Sequence, residues 1–274
     1  MVTRRPDCSD MIGNFYEFGP WRTSWDQRLH KNQYPWNQKF GVLFIDNPLG
    51  SDYSIAEKDE DIPVDQNRVA EHLYNALKEF YSTNLELKNR VLFVAGESYA
   101  GKYVPSLGHY ILMKSKMGPI ENVESNPFGN GIVNRSFKLG GLVIGNGLTD
   151  PEVQVQSHAN VAYNLGLIDG KQRSHVELLA RQVVGFIHKY QWFDAYKTRT
   201  ALMDWIQNTS GIATPLDVRR SVPYHCSPTG KDFLAPFLNQ KSVKAALNAE
   251  ESAEWVPCNP RVRRAMANDT MKSV

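Results

Sequence analysis

A chain of 274 residues, 42% of them apolar, is long enough to close one sizeable hydrophobic core, and a single domain over residues 1–274 is the default expectation. Its 31 lysines and arginines against 29 aspartates and glutamates leave a formal charge of +2, which gives no footprint for nucleic acid. No run reaches the eighteen apolar residues of a membrane span, and the opening Met-Val-Thr-Arg-Arg-Pro-Asp lacks the apolar stretch of a secretory leader.

In chain order, the first short apolar run ended by turn residues is Gly41 to Asp46, read as a strand. Asp65 to Tyr81 is an amphipathic helix with Val69, Leu73, Leu77 and Phe80 on one stripe and His72 beside it. Val91 to Ala95 is a second strand, followed by a helix from Tyr99 to about Lys116. Gly118 to Asn134, with Gly, Pro and Asn throughout, is expected to be an exposed loop before a third strand, Leu139 to Gly145. Strands joined by helices predict a parallel sheet and an α/β fold. From Pro151 to about Arg220 the chain reads as several helices, with Asp150-Pro151 as the start signal of the first. The apolar stretches Val183 to Ile187 and Leu202 to Ile206 have helical spacing, and no further strand is read beyond Pro151. The chain has no internal repeat and no low-complexity segment.

The chemistry-bearing motif lies where the second strand meets its helix: Gly96-Glu97-Ser98-Tyr99-Ala100-Gly101, a variant of Gly-x-Ser-x-Gly. A serine at such a junction sits in a strained turn, and small residues on either side let strand and helix approach. The Tyr99 backbone N–H then points at the place where an oxyanion would develop beside the Ser98 hydroxyl. The competing reading is a plain structural turn. Seven histidines offer no paired motif. His109 rides away from Ser98 on the helix, His30, His72, His158, His175 and His188 read as surface or structural, and His225 in Pro-Tyr-His-Cys-Ser-Pro is the one placed to swing toward a cleft. Three cysteines, Cys8, Cys226 and Cys258, cannot all pair with one another.

Gly96-Glu97-Ser98-Tyr99-Ala100-Gly101-Lys102-Tyr103-Val104-Pro105 resembles the active-site signature of the serine carboxypeptidases, a family of the α/β-hydrolase fold. Cys8-Ser9, Phe15-Tyr16-Glu17 with Gly19-Pro20, Trp36-Asn37, Asp46-Asn47-Pro48-Leu49-Gly50, Gly145 to Pro151, and Phe237 to Leu247 with Trp255 and Cys258 resemble further family segments in order. Within the family, Met11 to Asn14 and Asp61 to Pro63 are most similar to the plant serine carboxypeptidase-like 50 group. The resemblance covers nearly the whole chain. It implies an α/β-hydrolase fold with an incomplete parallel sheet, helices on both faces, and a helical cap over roughly 151–220.

It also implies roles. Ser98 is the nucleophile and Tyr99 supplies an oxyanion N–H. Glu97 and Glu17 match the carboxyl pair that shares a proton and binds the free carboxylate of a peptide's last residue. Cys8 and Cys258 match the partners of a long-range disulfide, leaving Cys226 over. Asn134, Asn208 and Asn268 each begin an Asn-x-Ser/Thr triplet, and the family is made in the secretory pathway, so a secreted or vacuolar location is expected. No cofactor or metal is implied, the partner is a peptide substrate, and the oligomeric state is left open. Two departures matter. The family's Gly-Gly-Pro-Gly oxyanion turn is replaced by Arg4-Arg5-Pro6-Asp7, and its Gly-x-Gly turn by Gly50-Ser51-Asp52. The family's catalytic aspartate and histidine follow the nucleophile on late strands, and neither is assigned here, so the chain is expected to be truncated at both ends relative to the family. Three readings follow: a serine-type exopeptidase acting through a Ser98 acyl-enzyme, a non-catalytic remnant that binds peptides or partners, and an acyltransferase passing the acyl group to an alcohol.

Overall fold

The computed structural model describes residues 8–117, 138–222 and 232–274. The expected loop Gly118 to Asn134, the Arg4-Arg5-Pro6-Asp7 turn, His225, Cys226 and Asn134 lie outside the described residues.

Two strands form the central element. β3 (Val91–Glu97) pairs in parallel with β4 (Lys138–Gly145), from Val91 opposite Lys138 to Glu97 opposite Gly145, with one irregularity after Leu92. The connection between them runs through α2 (Ala100–Met117). A second, antiparallel pair, β1 (Trp21–Thr23) with β2 (Leu29–Lys31), forms a small hairpin near the start of the chain. The strand expected at Gly41 to Asp46 does not form: residues 41–47 join no ladder. An apolar run becomes a strand only where a neighbour supplies hydrogen bonds, and among the described residues no strand pairs with it.

α1 (Gln66–Thr83) forms where expected because Asp65 caps it, accepting from the Arg68 amide at 2.9 Å. Its stripe Val69, Ala70, Leu73, Tyr74 and Leu77 is buried against the α2 face Ala100, Tyr103, Val104, Leu107 and Ile111. Val94 of β3 and Met266 complete this core, and Tyr74 meets Tyr110 edge to face with ring centroids 5.3 Å apart. α2 thus covers one face of the β3–β4 pair. On the other face Val91, Phe93 and Val143 are about half exposed.

After β4 come α3 (Pro151–Val155), α4 (His158–Asn164), α5 (Gly170–His188) and α6 (Trp192–Ser210), the helices expected from the spacing. Asp150 caps α3, accepting from the Glu152 and Val153 amides, and Asp169 with Gln172 forms a capping box on α5. Val176, Ala180, Val183 and Ile187 of α5 meet Ala195, Leu202 and Ile206 of α6 in a second core. Short helices α7 (Leu234–Leu238), α8 (Lys241–Ala246), α9 (Pro260–Ala265) and α10 (Ala267–Thr270) complete the chain. A third core joins Ile12 and Phe15 at the amino end to Phe233, Leu234, Phe237, Leu238 and Trp255, with the Phe15 and Phe237 rings edge to face at 5.6 Å.

Candidate active site

Between the last residue of β3 and the first of α2, Ser98 has φ +59°. A β-carbon makes this left-handed conformation unfavourable by about 1–2 kcal/mol, so surrounding contacts must impose it. They are visible. The Ser98 amide donates to the Gly145 carbonyl at 2.9 Å, while its carbonyl accepts from Leu148 at 2.7 Å and from Gly101 at 3.0 Å. The turn after β4 is therefore stitched to the serine itself. Gly101 is required there: a β-carbon on it would lie 2.6 Å from the Leu148 nitrogen and 2.8 Å from the Gly147 backbone. The two small-residue segments read from the motif are the surfaces on which helix and strand loop touch.

The same turn sets the neighbours of Ser98. Tyr99 stands just before α2, which places its amide beside the serine at the positive end of the helix dipole. Its ring is buried, packs 5.0 Å from that of Tyr103, and its hydroxyl accepts from Thr270 Oγ1 at 3.4 Å. Glu97 ends β3 opposite Gly145 and is half-buried. Glu17 ends a single π-helical turn, Gly13–Glu17, and is also half-buried; its carbonyl accepts from Arg22 Nη2 at 2.6 Å and Asn32 Nδ2 at 3.1 Å.

The amino-terminal turn is fixed by a buried carboxylate. Asp46 Oδ1 accepts from Ser9 Oγ at 2.8 Å and from the Asp10 amide at 2.9 Å, and Ser9 Oγ in turn accepts from Trp255 Nε1 at 3.1 Å. Burial pushes the Asp46 carboxyl above the usual carboxylate range, against the pull of these donors. Cys8 and Cys258 are joined by a disulfide with an S–S distance of 2.03 Å, as the resemblance implied. The altered turn Gly50-Ser51-Asp52 carries φ +96° at Gly50 and +53° at Asp52.

The described histidines occupy other places. His30 pairs with Asp26, His188 with Glu152 at 2.8 Å, and the His175 ring packs tilted against Trp205. His109 is exposed on α2. Burial, helped by Arg199, holds the His158 imidazole down at about 4. Among the described residues no group of three or more His, Cys, Asp or Glu is arranged to hold a metal ion. Asn208 and Asn268 are exposed.

One residue of the motif carries more than the sequence reading asked of it. Lys102 is 1% exposed, and its Nζ donates to the carbonyl of Lys272. Burial lowers its pKa to about 8, opposed by the nearby Asp269 carboxylate. A lysine among Ala100, Gly101, Tyr103 and Val104, in the buried turn of a helix, was the available signal.

A strained serine between a parallel strand and a helix, seated on a glycine contact, is the strand-turn-helix junction of an α/β-hydrolase fold. The family model of the serine carboxypeptidases matches residues 6–274, and the chain belongs to that family. It is 42% identical to serine carboxypeptidase-like 50 of Arabidopsis thaliana, over 98% of this chain and 56% of that protein. It is 29% identical to the probable serine carboxypeptidase CPVL of Homo sapiens, over 98% and 54%. The crystal structure of Kex1(delta)p, a prohormone-processing carboxypeptidase from Saccharomyces cerevisiae, superposes with a TM-score of 0.79 at 22% identity, covering 98% of this chain and 59% of that one. The chain thus spans about half the length of the relatives it matches.

Proposed function

We propose that Ser98 is the nucleophile of a serine-type carboxypeptidase that releases the last residue of a peptide. The observation that carries the proposal is the left-handed Ser98, held by Gly145, Gly101 and Leu148 at the mouth of α2. In this reading Ser98 Oγ attacks the carbonyl carbon of the last peptide bond and passes its proton to a general base. The Tyr99 amide stabilises the oxyanion, the C–N bond breaks, and the terminal amino acid leaves with a proton on its nitrogen. Water then cleaves the acyl-enzyme. Glu17 and Glu97 share one proton and hold the substrate's terminal carboxylate, an arrangement that favours acidic pH. The base is a histidine by the family pattern, and no histidine of this chain is assigned to the task. The Cys8–Cys258 bridge and the exposed Asn208 and Asn268 support passage through the secretory pathway to a vacuole or the cell exterior.

Treatment with a fluorophosphonate probe at acidic and neutral pH tests the reading, with Ser98→Ala as control. Labelling that disappears in Ser98→Ala is the expected result and shows that some base activates the serine. No labelling of a protein shown to be folded by circular dichroism overturns the catalytic reading in favour of a peptide-binding remnant. Product analysis with an added alcohol separates hydrolysis from acyl transfer, which would yield an ester.

A further inference from the structure

The last nine residues connect parts of the molecule that the strand order leaves apart. Met266 is buried in the core beneath the elbow, with Val69, Tyr99 and Tyr103. Met271, one short helix later, is buried in the core of the helical insert, with Val155, Val183 and Leu202. A segment this short with one anchor in each core restrains both.

Its polar contacts converge on the elbow from two sides. On the helix side, Lys102 Nζ donates to the Lys272 carbonyl, Thr270 Oγ1 donates to the Tyr99 hydroxyl, and Gln66 Nε2 donates to Asp269 Oδ2 at 2.7 Å. On the strand-loop side, the Val274 amide donates to the Thr149 carbonyl at 3.2 Å and Ser273 Oγ to Asp150 Oδ1 at 3.1 Å. Thr149 directly follows Leu148, whose amide holds the Ser98 carbonyl. Both halves of the turn that strains Ser98 are therefore gripped by the same short segment.

Lys102 is the centre of this grip. A fully buried lysine is expensive, and the neighbouring buried carboxylate Asp269 offsets only part of that. Removing the lysine alone would leave the buried Asp269 carboxylate and the Lys272 carbonyl without this partner, so what the lysine adds is to hold those two groups in place. We infer that Lys102 is a positioning residue: it fixes residues 266–274 as a clasp that locks the nucleophile helix and the helical insert into one unit and so maintains the Ser98 turn. The inference deepens the proposed function, and it rests on that reading only in calling Ser98 a nucleophile.

Hydrogen exchange followed by mass spectrometry on the full chain tests it without needing activity. In Lys102→Met, exchange is expected to rise about tenfold in 266–274, 147–150 and 98–104, well above any rise in α1, and the thermal midpoint is expected to fall as Asp269 loses a buried partner. Thr270→Val, which keeps the packing and removes the hydroxyl's bonds to Tyr99 and to the Met266 carbonyl, is expected to give about a threefold rise in the same peptides. Unchanged exchange in those peptides in both variants overturns the inference. So does a rise shared equally by α1 and the β1–β2 hairpin, which is simple destabilisation. Fluorophosphonate labelling, where the wild type shows it, is expected to slow in Lys102→Met. A wild type that never labels removes the catalytic reading and leaves the exchange result to decide the clasp.

Discussion

The elbow and the helical insert are built on opposite principles. Around Ser98 the critical contacts are backbone on backbone, with the Gly101 α-carbon pressed on Gly147 and Leu148. In the insert they are side chain on side chain, Val176, Ala180, Val183 and Ile187 of α5 against Ala195, Leu202 and Ile206 of α6. The first arrangement tolerates no added atom, and the second can relax around a lost one. Their buried titratable groups differ too. Burial raises the carboxyls of Asp46, under the amino-terminal turn, and of Asp269, beside Lys102, whereas it lowers the imidazole of His158 in the insert.

The sharpest way to break the comparison is Gly101→Ala. Its β-carbon would meet the Leu148 nitrogen at 2.6 Å, so stability in urea should fall by about 3 kcal/mol or more, with loss of any labelling at Ser98. Leu202→Ala, at a fully buried site in the insert, should cost about 2–5 kcal/mol. Exchange should rise in α5 and α6 while α1 stays protected; if α1 loosens equally, the two regions unfold as one and the contrast fails.

A pH series should divide them further. Unfolded His158 takes up a proton below its ordinary 6.5, and folded His158 only near 4, so the insert loses stability as pH falls through that window. The loss should be on the order of 2–3 kcal/mol by pH 4.5, and His158→Gln should abolish it. Asp46 and Asp269 act in the other direction. Their folded carboxyls bind protons at higher pH than unfolded ones, so the amino-terminal turn around Asp46 and the segment around Asp269 gain stability as the solution becomes acidic. Regional exchange measured at pH 7, 5.5 and 4.5 should show the insert loosening while α1 and α2 do not. The smallest effect is expected at the exposed His188–Glu152 pair, where Glu152→Gln should change stability by less than about 0.5 kcal/mol in thermal unfolding.

What could be read beforehand was what local chemistry determines. The stripe Val69, Leu73, Leu77 and Phe80 announced α1, the Asp150-Pro151 pair announced α3, and the spacing of Val183 to Ile187 and Leu202 to Ile206 announced α5 and α6. The Gly96 to Gly101 motif located the strained serine because a single turn contains all of its requirements. Gly41 to Asp46 misled, since strand propensity says nothing of whether a ladder partner stands alongside. The β1–β2 hairpin, with three residues to a strand, is too short for alternation to register. The clasp escaped because its members, Gln66, Tyr99, Lys102, Thr149 and Asp150 with 269–274, meet only in three dimensions. Within the site, the pairing of Cys8 with Cys258 came from family likeness; three cysteines on their own allow several partners.

That bridge also decides how the molecule would carry a load. Its sulfurs join positions 250 residues apart, so tension applied at the two termini first peels the tail after Cys258 off the cores and then passes directly from Cys8 to Cys258, without drawing out the residues between them. Stretched in an optical trap, the oxidised protein would lengthen only by the short tails outside the bridge, roughly 80 Å of contour. After reduction the same pull would draw out on the order of 900 Å more. Mechanically, the folded interior is a slack loop hung on one covalent link.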